Sequence, residues 1–240
     1  MAIVLIGIDD TDNLTSPGTG QIARRLIAEC VRRGGRHLGV TRHQFLVDPR
    51  IPYTSHNSGA CLAVDAPGGL ADAGFAPQFV AESSAKGSDP GICLALADTV
   101  AQEIIDFGWR ATREVVTMDE ARQAAGQAGL DLRELGGSGL GIIGALGSVG
   151  LRAGGCEGRF LDLPGLRELG QVVRLDELTA LGIEVRCSPP PAGALTADLC
   201  RTLDWVRPRL DGGRPVLGLE WSFAHDAWIP VDRQKSRPLE

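Results

Sequence analysis

No run of apolar residues in this 240-residue sequence approaches the roughly 20 that a membrane helix needs, which excludes a transmembrane helix. The opening Met1-Ala2-Ile3-Val4-Leu5-Ile6 carries no basic stretch ahead of its short apolar run, so no export signal is expected. The six cysteines, Cys30, Cys61, Cys93, Cys156, Cys187 and Cys200, contain no Cys-x-x-Cys pair, which excludes a zinc knuckle or a thioredoxin-like motif. Most of them lie among apolar neighbours and are expected as buried free thiols, in keeping with a reducing, cytoplasmic setting. Basic residues are also short: 24 Lys and Arg against 30 Asp and Glu give a formal charge of −6. The broad positive field that draws proteins to nucleic acid is therefore missing, and an RNA ligand would need a local basic patch. Aromatics are only 5% of residues, so Trp221 and Trp228 are read as core rather than as a base-stacking platform. There is no G-x-x-x-x-G-K-[ST], which excludes conventional P-loop placement of a nucleotide. His37, His43 and His225 form no metal-ligand spacing.

What is present reads as a mixed α/β (α+β) chain. Ile3 to Ile8 is a short apolar run ending in carboxylates, the pattern of a buried strand that surfaces at its C-terminal end. Ile22, Leu26 and Cys30 with Ala23, Ile27 and Val31 fall at i, i+4 spacing, and Gly34-Gly35 stops that helix. Leu38 to Val47 and Ala60 to Val64 read as strands, separated by a Pro-rich and polar loop over 48–59. Ile92 to Leu96 reads as a strand and 97–107 as a helix, while Thr117 and Glu120 predict a capping box opening a helix through Ala128. Gln171 to Leu175, Ile183 to Arg186 and Val216 to Trp221 are candidate strands, 196–206 a candidate helix, and Pro189-Pro190-Pro191 an exposed connector. Residues 1–155 are expected as a kinase-like region and 156–240 as a ferredoxin-like or mixed α/β region, the two possibly intertwined lobes of one protein. The short strands favour ferredoxin-like packing over a dinucleotide-binding fold.

The chemistry concentrates in Gly7-Ile8-Asp9-Asp10-Thr11-Asp12. Three carboxylates within four positions repel one another unless protons or cations compensate, and Mg²⁺ takes hard oxygen ligands from one or two carboxylates together with waters and phosphates. The plainer reading is an acidic turn leading into the next helix. Thr15, Ser16, Gly18 and Thr19 follow, with hydroxyls and a permissive backbone at a helix start that suits a phosphate; Thr19 can equally be a simple N-cap. The glycine-dense stretch 136–150, including Gly139, Gly141 and Gly144, would be costly in an ordinary helix interior, so close packing or ligand approach must offset it. In the 48–59 loop, His56 is either solvated or in contact with phosphate or substrate.

These motifs together resemble the archaeal isoleucine tRNA agmatinylcytidine synthetases. The resemblance rests on Gly7-Ile8-Asp9-Asp10-Thr11-Asp12, on Asp48-Pro49-Arg50-Ile51-Pro52-Tyr53 with Gly59-Ala60, on Ser88-Asp89-Pro90-Gly91, and on 139–150. It implies a kinase domain and a ferredoxin-like domain that use ATP and Mg²⁺ to activate a cytidine-like or other carbonyl-bearing acceptor. Asp9, Asp10 and Asp12 would hold metal and phosphate and carry catalysis. Thr11, Thr15, Ser16, Gly18, Thr19, Gly139, Gly141 and Gly144 would hold the nucleotide. Tyr53, His56, Asn57 and Asp89 would meet the substrate. Where the family has Lys-Thr-Arg-Gly-Asn, this chain has Thr54-Ser55-His56-Asn57-Ser58, without either cation. It also shows no paired-cysteine motif for the family's zinc ribbon, and an oligonucleotide-binding fold is not expected. The isolated chain is accordingly expected to bind tRNA weakly, with an RNA-binding partner protein supplying further contacts. A small-metabolite kinase and a non-catalytic nucleotide-sensing or RNA-associated module stay open as alternatives.

Overall fold

The computed structural model describes residues 2–53, 56–189, 194, 196–203 and 206–231. Strand β1 (Ile3–Asp9) is followed by α1 (Thr19–Arg32), β2 (Arg36–Gln44), β3 (Ser58–Asp65), α2 (Ala76–Ser83) and β4 (Gly91–Leu96). The strands pair in the order β4-β1-β3-β2, all antiparallel, which is the split βαβ arrangement of ferredoxin-like folds. This connectivity occupies residues 3–96. The apolar run of β1 puts it at the centre, with Val4, Ile6 and Ile8 facing α1 and α2, and Leu5 facing the opposite helices.

That opposite face is covered by α3 (Gln102–Ala111), α4 (Met118–Gln127) and α5 (Gly141–Gly154), and β5 (Asp131–Glu134) extends the sheet beyond β4. The Thr117–Glu120 capping box opens α4 as expected. Helix α3 starts later than its pattern suggested, because Ala97–Thr99 forms a separate 3-10 turn and Val100 is extended. From Gly141 on, the glycine-dense stretch lies in helix α5, and close contacts explain the glycines at its interfaces. A methyl group at Gly7 would strike the Ala145 carbonyl oxygen, one at Gly91 the Gly141 backbone, and one at Gly150 the Ile104 carbonyl oxygen. Backbone meets backbone on both sides of α5, and the resulting dispersion contacts offset the helix-propensity cost.

Beyond α5 the sheet continues through β6 (Arg159–Asp162), β7 (Val172–Arg174), α6 (Leu175–Ala180), β8 (Glu184–Cys187), β9 (Leu199–Arg201), β10 (Arg209–Asp211), β11 (Arg214–Ser222) and β12 (Ala227–Pro230). Strand β6 pairs with both β2 and β10, so one sheet runs across both halves. The helix expected over 196–206 does not form: 196–198 is a turn, and β9 is held between β7 and β12. Cys200 is fully buried there, and Trp228 donates its indole N–H to the Ala197 carbonyl at 2.8 Å, which leaves no room for a helical path. Trp221 and Trp228 stack edge to face at 5.2 Å in this core, as expected of core residues. Four cysteines are buried, whereas Cys156 and Cys187 are exposed. Pro190 and Pro191, like Thr54 and Ser55, lie outside the described residues. Among the described residues no helix is long and apolar enough to cross a membrane.

The packing of α5 on β1 makes Gly7→Ala an overpacking substitution, expected to destabilise by about 1–3 kcal/mol or more. Gly126→Ala, in α4 with open space around it, is expected to stabilise by up to about 1 kcal/mol through helix propensity. Denaturant unfolding of both variants checks the contrast; a neutral Gly7→Ala would contradict the close approach.

Candidate active site

Central strand β1 delivers Asp9 at its C-terminal end, and the chain turns sharply at Asp10, whose φ is 52°. That turn sends the neighbouring carboxylates along different paths instead of to opposite faces of a strand. The Asp10 N–H donates to Asp9 Oδ1 at 2.8 Å. A Cβ at Gly144 would overlap the Asp9 carboxyl group, so only glycine fits there. Burial pushes the Asp9 pKa up to about 7, with Asp10 and Asp12 adding repulsion against the lowering effect of the Asp10 N–H. Asp10 rises to about 6, again chiefly by burial, with repulsion from Asp89 and Asp12.

Asp12 is positioned through hydroxyls. Thr11, fully buried, donates to Thr19 Oγ1 at 3.0 Å, and Thr19 donates to Asp12 Oδ1 at 2.9 Å. Thr19 therefore orients a carboxylate from the first turn of α1; the N-cap is Gly18, which corrects the reading of Thr19 as a cap. Thr15 and Ser16 fold the loop on itself through Asn13, whose Oδ1 accepts from both the Thr15 N–H and its hydroxyl while its own N–H donates to Ser16 Oγ at 2.8 Å.

Asp9, Asp10 and Asp12 open onto a cavity of about 370 Å³. Gly18 and Thr19 of α1, Gly141 and Gly144 of α5, and Tyr53, His56 and Asn57 of the loop also line it. Neither helix start carries a side-chain cap, but the first amides of α5 are engaged by main-chain carbonyls, Gly141 N–H by Asp89, Ile142 N–H by Gly139 and Ile143 N–H by Leu140, whereas the start of α1 lines the cavity through Gly18, Thr19 and Gly20. Thr11, Thr15, Ser16, Gly139 and Asp89 are not in the lining. Gly139 sits against Glu134, and the Asp89 carboxylate accepts the Ser138 N–H while the Asp89 N–H supports Asp10. Asn57 is committed to the fold, donating to the Leu46 carbonyl at 2.6 Å. Among the described residues no group of three or more His, Cys, Asp or Glu side chains is arranged to hold a metal ion unaided, so the three aspartates are not a side-chain cage.

Sequence reading missed the cations. Arg24 of α1, Arg42 of β2 and Arg167 all line the cavity. Arg42 donates to Ser58 Oγ at 2.9 Å, and Arg167 to the Leu161 carbonyl at 2.9 Å. Arg24 is made less basic by burial and by Arg167. The positive charge absent from 54–58 thus comes from three separate elements, each unremarkable in its own local sequence. Phe45, Ala111 and Val116 form an apolar wall beside them.

No protein-family model matches the chain. The curated isoleucine-tRNA 2-agmatinylcytidine synthetase TiaS of Pyrococcus horikoshii is 34% identical over 154 residues, covering 60% of this chain and 35% of that protein. A solved complex of TiaS with its isoleucine tRNA and ATP matches with a TM-score of 0.54 at 26% identity, covering 62% of this chain and 36% of that one. Apo TiaS matches with a TM-score of 0.53 at 24% identity, covering 62% and 35% respectively, a likeness of fold. Along the matched residues this chain is related to the isoleucine-tRNA 2-agmatinylcytidine synthetases, and it spans about a third of their length.

Proposed function

We propose that this protein is an ATP-dependent, kinase-like enzyme that activates a carbonyl-bearing acceptor, a cytidine-like base of an RNA, for attachment of an amine. One observation carries the reading: the uncapped N-terminus of α1 and three arginines line the same cavity as two carboxylates of raised pKa. The N-terminal amides of α1 and the guanidinium groups suit a polyphosphate. The carboxylates suit a divalent cation, which needs only one or two of them beside phosphate oxygens and water. Asp9 and Asp10 are the residues that would hold Mg²⁺, with Asp12 fixed by Thr19 behind them. A bound cation would supply neutralisation of the phosphate charge during transfer.

Gly18, Thr19, Gly141 and Gly144 are the proposed nucleotide contacts, with Thr11, Thr15, Ser16 and Gly139 shaping the loops that present them. Arg24, Arg42 and Arg167 would stabilise charge on the transferring phosphoryl group. Transfer to the acceptor's carbonyl oxygen makes that oxygen a leaving group, and an amine then displaces it as phosphate. Tyr53 and His56 at the cavity mouth, with Asn57 and Asp89 holding the loops behind, would meet this acceptor. We assign nucleotide handling to residues 1–155 and a supporting, RNA-facing role to 156–240. The similarity to TiaS, whose solved complex contains tRNA and ATP, supports tRNA as the RNA class.

The reading predicts Mg²⁺-dependent ATP binding by the purified chain, measured by calorimetry. Asp9→Asn and Asp10→Asn, still folded, are expected to lower ATP turnover with an acceptor at least about a hundredfold. Absence of ATP binding in the presence of Mg²⁺ would sink the proposal.

The raised Asp9 pKa also predicts a pH signature. The folded state holds this proton more tightly than the unfolded chain, whose Asp titrates near 3.8. Its contribution therefore weakens the fold as pH rises from about 4 through about 7. Asp9→Asn is expected to melt above the parent at pH 8, with the gap closing as pH falls toward 4. Thermal melts across that range test it, and a gap that widens toward acid would contradict the assignment.

A further inference from the structure

Among the described residues lining the cavity, Asp9, Asp10, Asp12 and Glu114 carry carboxylates, and Glu114 alone has no part in the metal and phosphate reading. It lies in the turn between α3 and α4, where its N–H donates to the Arg110 carbonyl at 2.7 Å. Beside it the Leu46 N–H donates to the Ala111 carbonyl at 3.0 Å, which draws the β2–β3 connection against the end of α3 and sets Phe45 near Ala111. Phe45, Ala111 and Val116 are at most 8% exposed, whereas the Glu114 side chain is 63% exposed. Helix α5 gives the scale. The Asp9 carboxyl group packs on Gly144 and the Phe45 ring on Gly147, three residues or about 4.5 Å further along the axis. Glu114 also shares its basic neighbour. Arg110 Nε reaches it at 3.4 Å, but Arg110 Nη2 bonds Glu120 at 2.5 Å, and Glu120 is the chief cause of that guanidinium's raised basicity. Arg113 lies over the Trp109 ring, outside the cavity lining. Two carboxylates thus divide one guanidinium. An exposed ion pair of this kind is weak, and a carboxylate accepts about four hydrogen bonds, so this corner has capacity for a second cation.

We propose that Glu114 and the wall of Phe45, Ala111 and Val116 form the subsite of the amine, with Glu114 the residue that selects it. The inference rests on the reading of an amine-attaching enzyme. A primary alkylamine in neutral water is a cation on an apolar stem. The carboxylate receives its ammonium group through charge-assisted hydrogen bonds, and the stem covers the wall. Before attack the ammonium passes one proton to the Glu114 carboxylate, which leaves an uncharged amine whose lone pair is directed at the acceptor carbon. A wall that begins one helical turn from Asp9 keeps the amine clear of the metal and phosphates. A nucleobase could use the same wall without needing the carboxylate, and the test separates the two.

The experiment is an NMR titration of the isotope-labelled full chain, with Mg²⁺ and a non-hydrolysable ATP analogue bound, using n-butylamine and the uncharged n-butanol. Butylamine is expected to bind at least about tenfold tighter than butanol, and Glu114→Gln to remove about tenfold or more of that affinity. Propylamine, with one methylene fewer on the wall, is expected to bind about fourfold more weakly than butylamine. The Gln variant keeps the side chain's shape, and an unchanged amide spectrum away from the turn verifies its fold. Equal butylamine affinity in the parent and Glu114→Gln overturns the subsite, as do butylamine and butanol bound alike, no butylamine binding, or displacement of the nucleotide by the amine. Failure of the nucleotide to bind overturns the phosphoryl-transfer reading instead, and the same titrations of the nucleotide-free chain then still decide for or against Glu114.

Discussion

The arrangement depends on how near helix α5 comes to the edge of β1. Gly144 leaves no space for a side chain between the helix and the Asp9 carboxyl group, and Gly7 meets the Ala145 carbonyl one strand pleat away. That approach squeezes water from around Asp9, which is why burial leads the causes of its raised pKa. Packing thus sets the electrostatics. The same approach also brings the start of α5 to the cavity, so one run of glycines fixes both the carboxylate's environment and a helix dipole beside it.

Charges lining the cavity are braced largely by neutral groups: Arg42 by Ser58 and Gln44, and Asp12 by Thr19, while Arg167 takes both the Leu161 carbonyl and, at 4.0 Å, the Asp162 carboxylate. A polyanion and a cation can both be accommodated between them. The cost is a ligand-free state with two carboxylates at unfavourable pKa and arginines depleted of basicity, a local strain of the kind that functional sites tolerate.

Much of the first half was legible in sequence because its periodicities are strong: β1, α1, β3, β4 and α4 follow directly from apolar spacing, carboxylate punctuation and a capping box. Helix α2 was not read, since its apolar face is short and opens with Pro77, and neither was β5, whose Asp131–Glu134 is polar and largely unburied. The strand at 199–201 was misread because its partners, β7 and β12, are distant in sequence and override local preference. Asp9, Asp10, Asp12, Gly141 and Gly144 are picked out as a candidate site by their clustering together with the resemblance to the synthetases, since clustering alone fits an acidic turn and close helix packing equally well. Arg24, Arg42 and Arg167 are not, because nothing within their own segments marks them; only the fold brings them to one cavity.

The junction between the halves shows how a small irregularity sets the charge pattern. Val40 pairs with Asp162, and in that frame Arg42 would face Phe160. A bulge shifts the register between Val40 and Thr41, so Thr41 faces Phe160 and Arg42 faces Arg159 instead. Because strand faces alternate, that single residue decides whether an aromatic ring or a guanidinium stands beside Arg42. Leu161, the residue passed over, lines the cavity, packs toward Gly20 at the start of α1, and offers its carbonyl to Arg167. The bulge therefore bears on two of the arginines that line the cavity: it sets Arg42 in register with Arg159, and through the Leu161 carbonyl it holds Arg167 at the cavity wall.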